Sequence, residues 1–237
     1  MRVVVSIGGS VLAPDLEESV VQGHADAIEQ LDATGIDLGV VVGGGSVARE
    51  YIEAARNLGE NEIALDDIGI GVTRLNARLL IAALDDIAAP APIESYQGGL
   101  EAMRRGDVPV LGGVTPGQTT DAVSAALAEY VEADLLVYAT SVPGVFTADP
   151  DEDETARHIE AMTPQELIDV IVDTELVAGS SAPVDLLAAK LIERSGMRTI
   201  VLDGTDPDRL VDAVLRGDHD GTDVTADGAQ TMLPEWQ

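Results

Sequence analysis

Short apolar runs alternate along this chain with longer stretches whose apolar positions recur at helical spacing. The runs are Arg2 to Ile7, Asp37 to Val42, Val108 to Leu111, Leu135 to Thr140 and Arg198 to Leu202. They are dominated by valine, isoleucine and leucine with little polar alternation, the pattern of strands buried on both faces. Helices are predicted over about Leu16 to Ala33, after Ser46 in a stretch carrying Val47, Ala48, Tyr51, Ile52 and Ala55, over about Glu62 to Ile87 and roughly from Tyr96 to Arg105. Others are predicted from Ala122 to Val131, from about Pro183 to Ser195 and from Asp206 to Leu215. Thr163-Pro164-Gln165-Glu166 is a capping box with proline at the first helical position, and Thr222 to Val224 reads as a last short strand. Val142 to Pro150 reads as a small hairpin or ordered turn. This alternation predicts an α/β fold with a largely parallel sheet covered by helices on both faces.

In such sheets ligands gather at the carboxyl ends of the strands. Gly8-Gly9-Ser10, Gly43-Gly44-Gly45, Gly112-Gly113 and Thr140 all fall at strand C-termini, so four loops are expected on one rim. The richest stretch is Val108 to Val131, in which a strand leads through Pro116 and Gly117 to Thr119-Thr120-Asp121 and a helix. Thr120 or Asp121 is the expected N-cap. A glycine-bearing loop ahead of a helix offers unpaired N–H groups and the positive end of a helix dipole, which suits an anion; an ordinary βα turn has the same sequence.

Composition narrows the chemistry. The 237 residues can bury one large core, and no apolar run is long enough to cross a membrane, so a soluble cytoplasmic protein without a signal peptide is expected. Cysteine is absent, which excludes disulfides and thiolate catalysis. The formal charge of −30 disfavours nucleic-acid binding. The acids are spread through every helix, as in cytoplasmic proteins of halophiles that accumulate salt. Lys190 is the only lysine, which suggests that it occupies a place where arginine cannot serve. No GK[ST] triplet or Cys/His cluster is present. His24, His158 and His219 are dispersed and read as surface or turn residues. Glycine loops, hydroxyls, acids and one lysine are the equipment of phosphoryl transfer, which needs positioning and charge neutralisation more than a protein nucleophile.

The motifs IGGSV, VVVGGGSVAREYI, DDIGIGVTRLNARLL, GGVTPGQTTDAV, ATSVPGVFTADP and DLLAAKLIERSG occur in this order. Together they resemble the amino acid kinase superfamily, and within it the archaeal type of uridylate kinase, over about Met1 to Thr222. The resemblance implies a three-layer αβα sandwich, Mg²⁺- and ATP-dependent phosphorylation of UMP, and a homohexamer built from dimers. Residues 1–225 would form one domain, its acceptor-nucleotide half about 1–130 and its ATP half about 131–225, followed by a loose tail over 226–237. The resemblance assigns Gly9, Ser10, Gly45 and Arg49 to the ATP phosphates, and Thr140, Phe146 and Asp149 to the nucleoside end of ATP. UMP would be held by Gly44 at its phosphate, Asp66 at its ribose hydroxyls, and Val114, Thr115, Pro116, Gly117, Gln118, Thr119 and Thr120 around uracil and ribose. Many relatives carry a lysine in a K-x-G-G pattern where this chain has Ser6, so the cationic work on the transferring phosphoryl is expected from Mg²⁺, backbone amides and Lys190, with Asp121 orienting the lysine or the metal's waters. A kinase of the same fold acting on isopentenyl phosphate, carbamate or an amino acid carboxylate is the competing reading, and a non-catalytic nucleotide-binding protein a third.

Overall fold

The structure is a computed structural model that describes residues 1–148, 150, 153–175 and 184–229. The predicted strands are present as β1 (Arg2–Ile7), β2 (Asp37–Val42), β3 (Val110–Leu111), β4 (Leu135–Thr140), β6 (Arg198–Asp203) and β7 (Thr222–Val224). An additional short strand, β5 (Ala161–Met162), lies at a sheet edge that the apolar pattern did not reveal. Spatial order is β3-β2-β1-β4-β6-β7-β5. The β3-to-β6 pairs are all parallel, as is β5 with β7, and among the described strand pairs only β6 with β7 is antiparallel. The carboxyl ends of β1, β2, β3, β4 and β6 therefore share one rim.

Alternation within each buried strand feeds two separate cores. Val3, Val5, Ile7, Val40, Val42, Val137 and Ile200 pack on one face, against helices α2 (Glu18–Asp32), α4 (Glu62–Ala83) and α9 (Pro207–Arg216). Val4, Val41, Leu136, Tyr138 and Val201 pack on the other, against α6 (Thr120–Tyr130), α7 (Pro164–Glu175) and α8 (Leu186–Ser195). Both faces are apolar, which is why the strands read as unbroken runs. Helix α3 (Gly45–Asn57) lies against α4, and α5 (Tyr96–Arg105) packs beside α6.

Several boundaries differ from expectation. The stretch after β1 forms a single helical turn, α1 (Gly9–Leu12), before α2 begins at Glu18. Helix α4 ends at Ala83, because Asp85 to Ile87 turn towards the edge beside Val108. The N-cap of α6 is Thr119, whose hydroxyl accepts from the Ala122 N–H at 3.1 Å. The capping box forms as expected: Thr163 N–H donates to the Glu166 carboxylate at 2.7 Å, and Glu166 N–H donates to the Thr163 hydroxyl at 3.2 Å. Phe146 pairs with His158 across an antiparallel bridge, so Val145 to Thr147 run beside Arg157 to Ile159. Asp149, Pro183 and most of the tail lie outside the described residues. His24 is not a surface residue: it is buried with its ring nitrogens 3.0 Å from the Val20 and Gly204 carbonyl oxygens, while His219 lies in the connection after α9 with its side chain turned in against Asp223 at 3.4 Å.

Candidate active site

The rim is assembled by backbone meeting backbone. β1 and β2 are in register up to Ile7 and Val42, so the loops that leave them collide unless side chains are absent. A Cβ on Gly9 would lie 2.1 Å from the Gly45 nitrogen, 2.5 Å from the Gly44 carbonyl carbon and 2.6 Å from that of Gly43. Gly45 itself has φ +64°, in the left-handed region that glycine enters without strain. The two loops thus stack with nothing between them. Gly8 N–H donates to the Ala139 carbonyl at 2.9 Å, and Gly204 N–H to the Thr140 carbonyl at 2.8 Å, which ties the ends of β4 and β6 to the same place.

Several N–H groups here have no internal acceptor. Those of Gly9, Ser10, Gly44 and Gly45 donate to no group among the described residues. They sit at the starts of α1 and α3, where the first N–H groups of a helix are unpaired and its dipole favours negative charge. Arg49, exposed one turn into α3, places its Nε 3.4 Å from the Gly45 carbonyl. It is a cation beside these donors.

The acceptor loop runs from Gly112 to Thr119. It is fastened to α4 by Gly117 N–H donating to Asp66 Oδ2 at 2.7 Å, by Gly113 N–H donating to the Thr73 hydroxyl at 2.7 Å, and by Arg74 Nε donating to the Gly113 carbonyl at 3.3 Å. Within it, Gln118 N–H closes a turn on the Thr115 carbonyl at 3.2 Å, and Tyr96 donates its hydroxyl proton to Gln118 Oε1 at 2.9 Å. Val114, Pro116 and Thr120 are half-buried, whereas Thr115, Gly117 and Thr119 are exposed, so the loop offers an open, hydrogen-bonding wall.

Two carboxylates stand at neighbouring helix starts. Asp121 stands in the first turn of α6, and Asp185 caps α8 through Leu187 N–H at 2.7 Å and Ala188 N–H at 3.0 Å. The Thr119 hydroxyl donates to Asp185 Oδ2, which joins the two helix starts. Burial, and then the Asp185 charge, push the Asp121 carboxyl up to about 7, although the Asp185 backbone N–H pulls the other way. Beneath the pair, Tyr138 donates its hydroxyl proton to the Asp121 carbonyl oxygen at 2.8 Å, and burial with the two carboxylates holds this phenol well above its ordinary value.

Lys190 does not join this assembly. It lies more than a turn beyond the capped end of α8, half-exposed, with Nζ 3.1 Å from Glu193 Oε2 one turn further on. Helix α8 presents its N-terminus and Asp185 to the rim, and Lys190 to solvent. Its ammonium group pairs with Glu193 and with neither Asp121 nor Asp185. Thr140 is at the end of β4, its hydroxyl donating to the Val142 carbonyl at 3.0 Å, and the half-buried Phe146 ring lies 5.3 Å from the His158 ring at a tilt of 60°. Asp185, Thr73, Asn76 and Tyr138 were not singled out as site residues from the sequence. Asp185 had a readable signal, an aspartate just ahead of an apolar-periodic helix, obscured by starting that helix at Pro183.

Residues 1–203 match the amino acid kinase family. The chain is 69% identical over 236 residues to the uridylate kinase of Halobacterium salinarum, a match covering 100% of this chain and 98% of that protein. It is 67% identical over 224 residues to the uridylate kinase of Haloarcula marismortui, covering 94% and 98% of the two. Among solved structures, the uridylate kinase of Archaeoglobus fulgidus superposes with a TM-score of 0.84 at 43% identity, covering 95% of this chain and 100% of that one. On the match over most of its length, on these relatives and on its doubly covered parallel sheet, the chain belongs to the amino acid kinase family.

Proposed function

We propose that this chain transfers the γ-phosphoryl group of ATP directly to UMP, giving UDP. The observation that carries the reading is the stacking of Gly9 on Gly43-Gly44-Gly45, with amides on both loops that have no acceptor among the described residues, on the strand-end rim where helix α6 also starts with Asp121. That arrangement suits two nucleotides laid end to end with their phosphates meeting at the rim. Gly9, Ser10 and Gly45 hold the ATP phosphates, with Arg49 adding a cation, while Gly44 meets the UMP phosphate. Asp66 takes the ribose hydroxyls of UMP, and Val114 to Thr120 wrap its base and sugar. Thr140 and Phe146 line the nucleoside end of ATP, Phe146 offering a flat apolar face. Asp149, assigned by resemblance to the same end, completes that reading.

The described residues contain no group of three or more metal-binding side chains. Mg²⁺ nevertheless fits the donor set. It commonly takes one or two carboxylates and completes its shell with water and phosphate oxygens, and Asp121 and Asp185 are two hard-oxygen donors, the second close enough for its charge to raise the proton affinity of the first. When bound, the ion would neutralise charge on the transferring phosphoryl group. The residues do the rest: loop amides orient the phosphates, Asp66 and the acceptor loop fix the attacking UMP, Tyr138 anchors the Asp121 backbone and Thr119 holds the Asp185 carboxylate. With Lys190 paired to Glu193, the cationic work falls to Arg49, the amides and the metal.

A homohexamer and a cytoplasmic location belong to the same reading. Tyr51, Leu58, Ile63, Leu75 and Leu79 expose apolar surface on α3, its C-cap and α4, where further copies of the chain would pack. The test of function is incubation with ATP, Mg²⁺ and UMP and separation of the products. UDP and ADP in equal amounts are expected; ADP formed only with isopentenyl phosphate, carbamate or acetylglutamate as acceptor would overturn the assignment.

A further inference from the structure

One turn of α4 touches both substrate loops at once. Asn76, buried to 4% exposure, donates from Nδ2 to the Gly43 carbonyl at 2.8 Å and, more weakly, to that of Gly44 at 3.4 Å. One turn earlier, Thr73 is 6% exposed and divides its side chain between the loops. Its hydroxyl donates to the Ile70 carbonyl at 2.7 Å and accepts from Gly113 N–H at 2.7 Å. Its methyl group lies 3.4 Å from where a Cβ on Gly44 would stand. The acceptor loop rests directly on the same turn, since a Cβ on Gly112 would meet the Thr73 hydroxyl at 2.5 Å and the Arg74 nitrogen at 2.8 Å.

Peptide planarity turns these contacts into direction. In a trans peptide the N–H of one residue points opposite to the carbonyl of the residue before it, and no cis bond is present among the described residues. An amide that draws the Gly43 and Gly44 carbonyls down onto α4 therefore aims the Gly44 and Gly45 N–H groups away from α4, leaving them unpaired. Asn76 decides which way the glycine loop shows its donors. Thr73 decides how far the acceptor loop stands from it.

We propose that Asn76 and Thr73 are positioning residues, a bracket on α4 that aims the phosphate-binding amides and fixes the spacing between the two nucleotides. The inference rests on the reading of these loops as nucleotide cradles. Preorganised donors matter because those aimed in advance need no reorganisation during reaction, and small displacements of a reacting group are costly.

The test compares wild type with Asn76→Leu, Thr73→Val and Thr73→Ser in one buffer, with thermal midpoints measured beside kcat and both KM values. Asn76→Leu, folded at the assay temperature, is expected to lower kcat/KM for ATP tenfold or more, equivalent to ~1.4 kcal/mol or more of transition-state stabilisation. Thr73→Val is expected to raise KM for UMP at least threefold, while Thr73→Ser, which keeps the hydroxyl, stays within twofold of wild type. Lowered midpoints with unchanged kcat and KM would show a merely structural role and overturn the proposal. Should Asn76→Leu fail to fold, the Thr73 pair decides by the same UMP criterion. Should wild type make no UDP, the function proposed above fails, and calorimetric titration with ATP still decides the bracket. Tenfold weaker ATP binding by Asn76→Leu supports it, and equal binding overturns it.

Discussion

Gly9→Ala is the sharpest perturbation of the rim. The added methyl would stand 2.1 to 2.6 Å from three backbone atoms of Gly43, Gly44 and Gly45, none of which is the end of a flexible side chain. Relief to ordinary contact requires the two loops to part by roughly 1 Å, a misplacement that can cost ~10² in rate. Overpacking alone typically costs ~1–3 kcal/mol of stability. The expected result is a fold that survives with a lowered thermal midpoint and a loss of ~10² or more in kcat/KM for UMP phosphorylation. Gly8→Ala is the control, because its Cβ would meet nothing nearer than 3.5 Å, at the Ala139 carbonyl oxygen. It should retain near-native turnover. Steady-state assays following ADP release, with unfolding scans on the same preparations, read both effects. Gly9→Ala within threefold of wild type would refute the view that direct stacking of the two glycine loops sets the geometry of transfer.

Other consequences can be checked independently. Lys190→Ala should change turnover by less than about threefold, since an exposed ion pair on a helix contributes only ~0.3–0.5 kcal/mol; a hundredfold loss would restore the lysine to the mechanism. Asp121 requires ionisation to act, so kcat/KM should rise along an acid limb centred on about 7. Asp185→Asn keeps the capping oxygen but removes the like charge, and should move that limb to lower pH whatever happens to its height; an unmoved limb contradicts the assignment. The same shift has a stability consequence of opposite sense. The folded Asp121 holds its proton up to about 7 while the unfolded carboxyl releases it near 4, so its contribution is most favourable below ~4 and is lost as pH rises through 7. With a net charge of −30, the chain repels itself at low ionic strength, and the screening length falls from ~10 Å at 0.1 M to ~3 Å at 1 M salt. Its midpoint should therefore climb as potassium chloride is raised over that range, as scanning calorimetry would show.

What could be read in advance, and what could not, follows from the range of the interactions. β1, β2 and β4 are continuous apolar runs because both sheet faces are covered, and local composition carries that directly. The rim was legible because four strands end in glycine or threonine and parallel topology places their ends together. The cap of α6 was misplaced by one or two residues because Thr119, Thr120 and Asp121 are all competent, and only the reach of the Thr119 hydroxyl to Ala122 separates them. Asn76 and Thr73 were invisible for a different reason. Their partners lie 33 and 40 residues away, and neither residue type announces a bond to a distant backbone. Lys190 marks the opposite limit. Rarity is a property of composition, whereas function depends on where a side chain points, and this one points along α8 to Glu193.

The central claim is that two nucleotides meet phosphate to phosphate across the stacked glycine loops, with no protein group taking the phosphoryl in between. The most direct measurement is the stereochemical course at the γ-phosphorus, using ATP made chiral there with oxygen isotopes and UMP as acceptor. A single in-line displacement predicts inversion of configuration in the UDP formed. Retention would require a phosphorylated enzyme intermediate and would contradict the account.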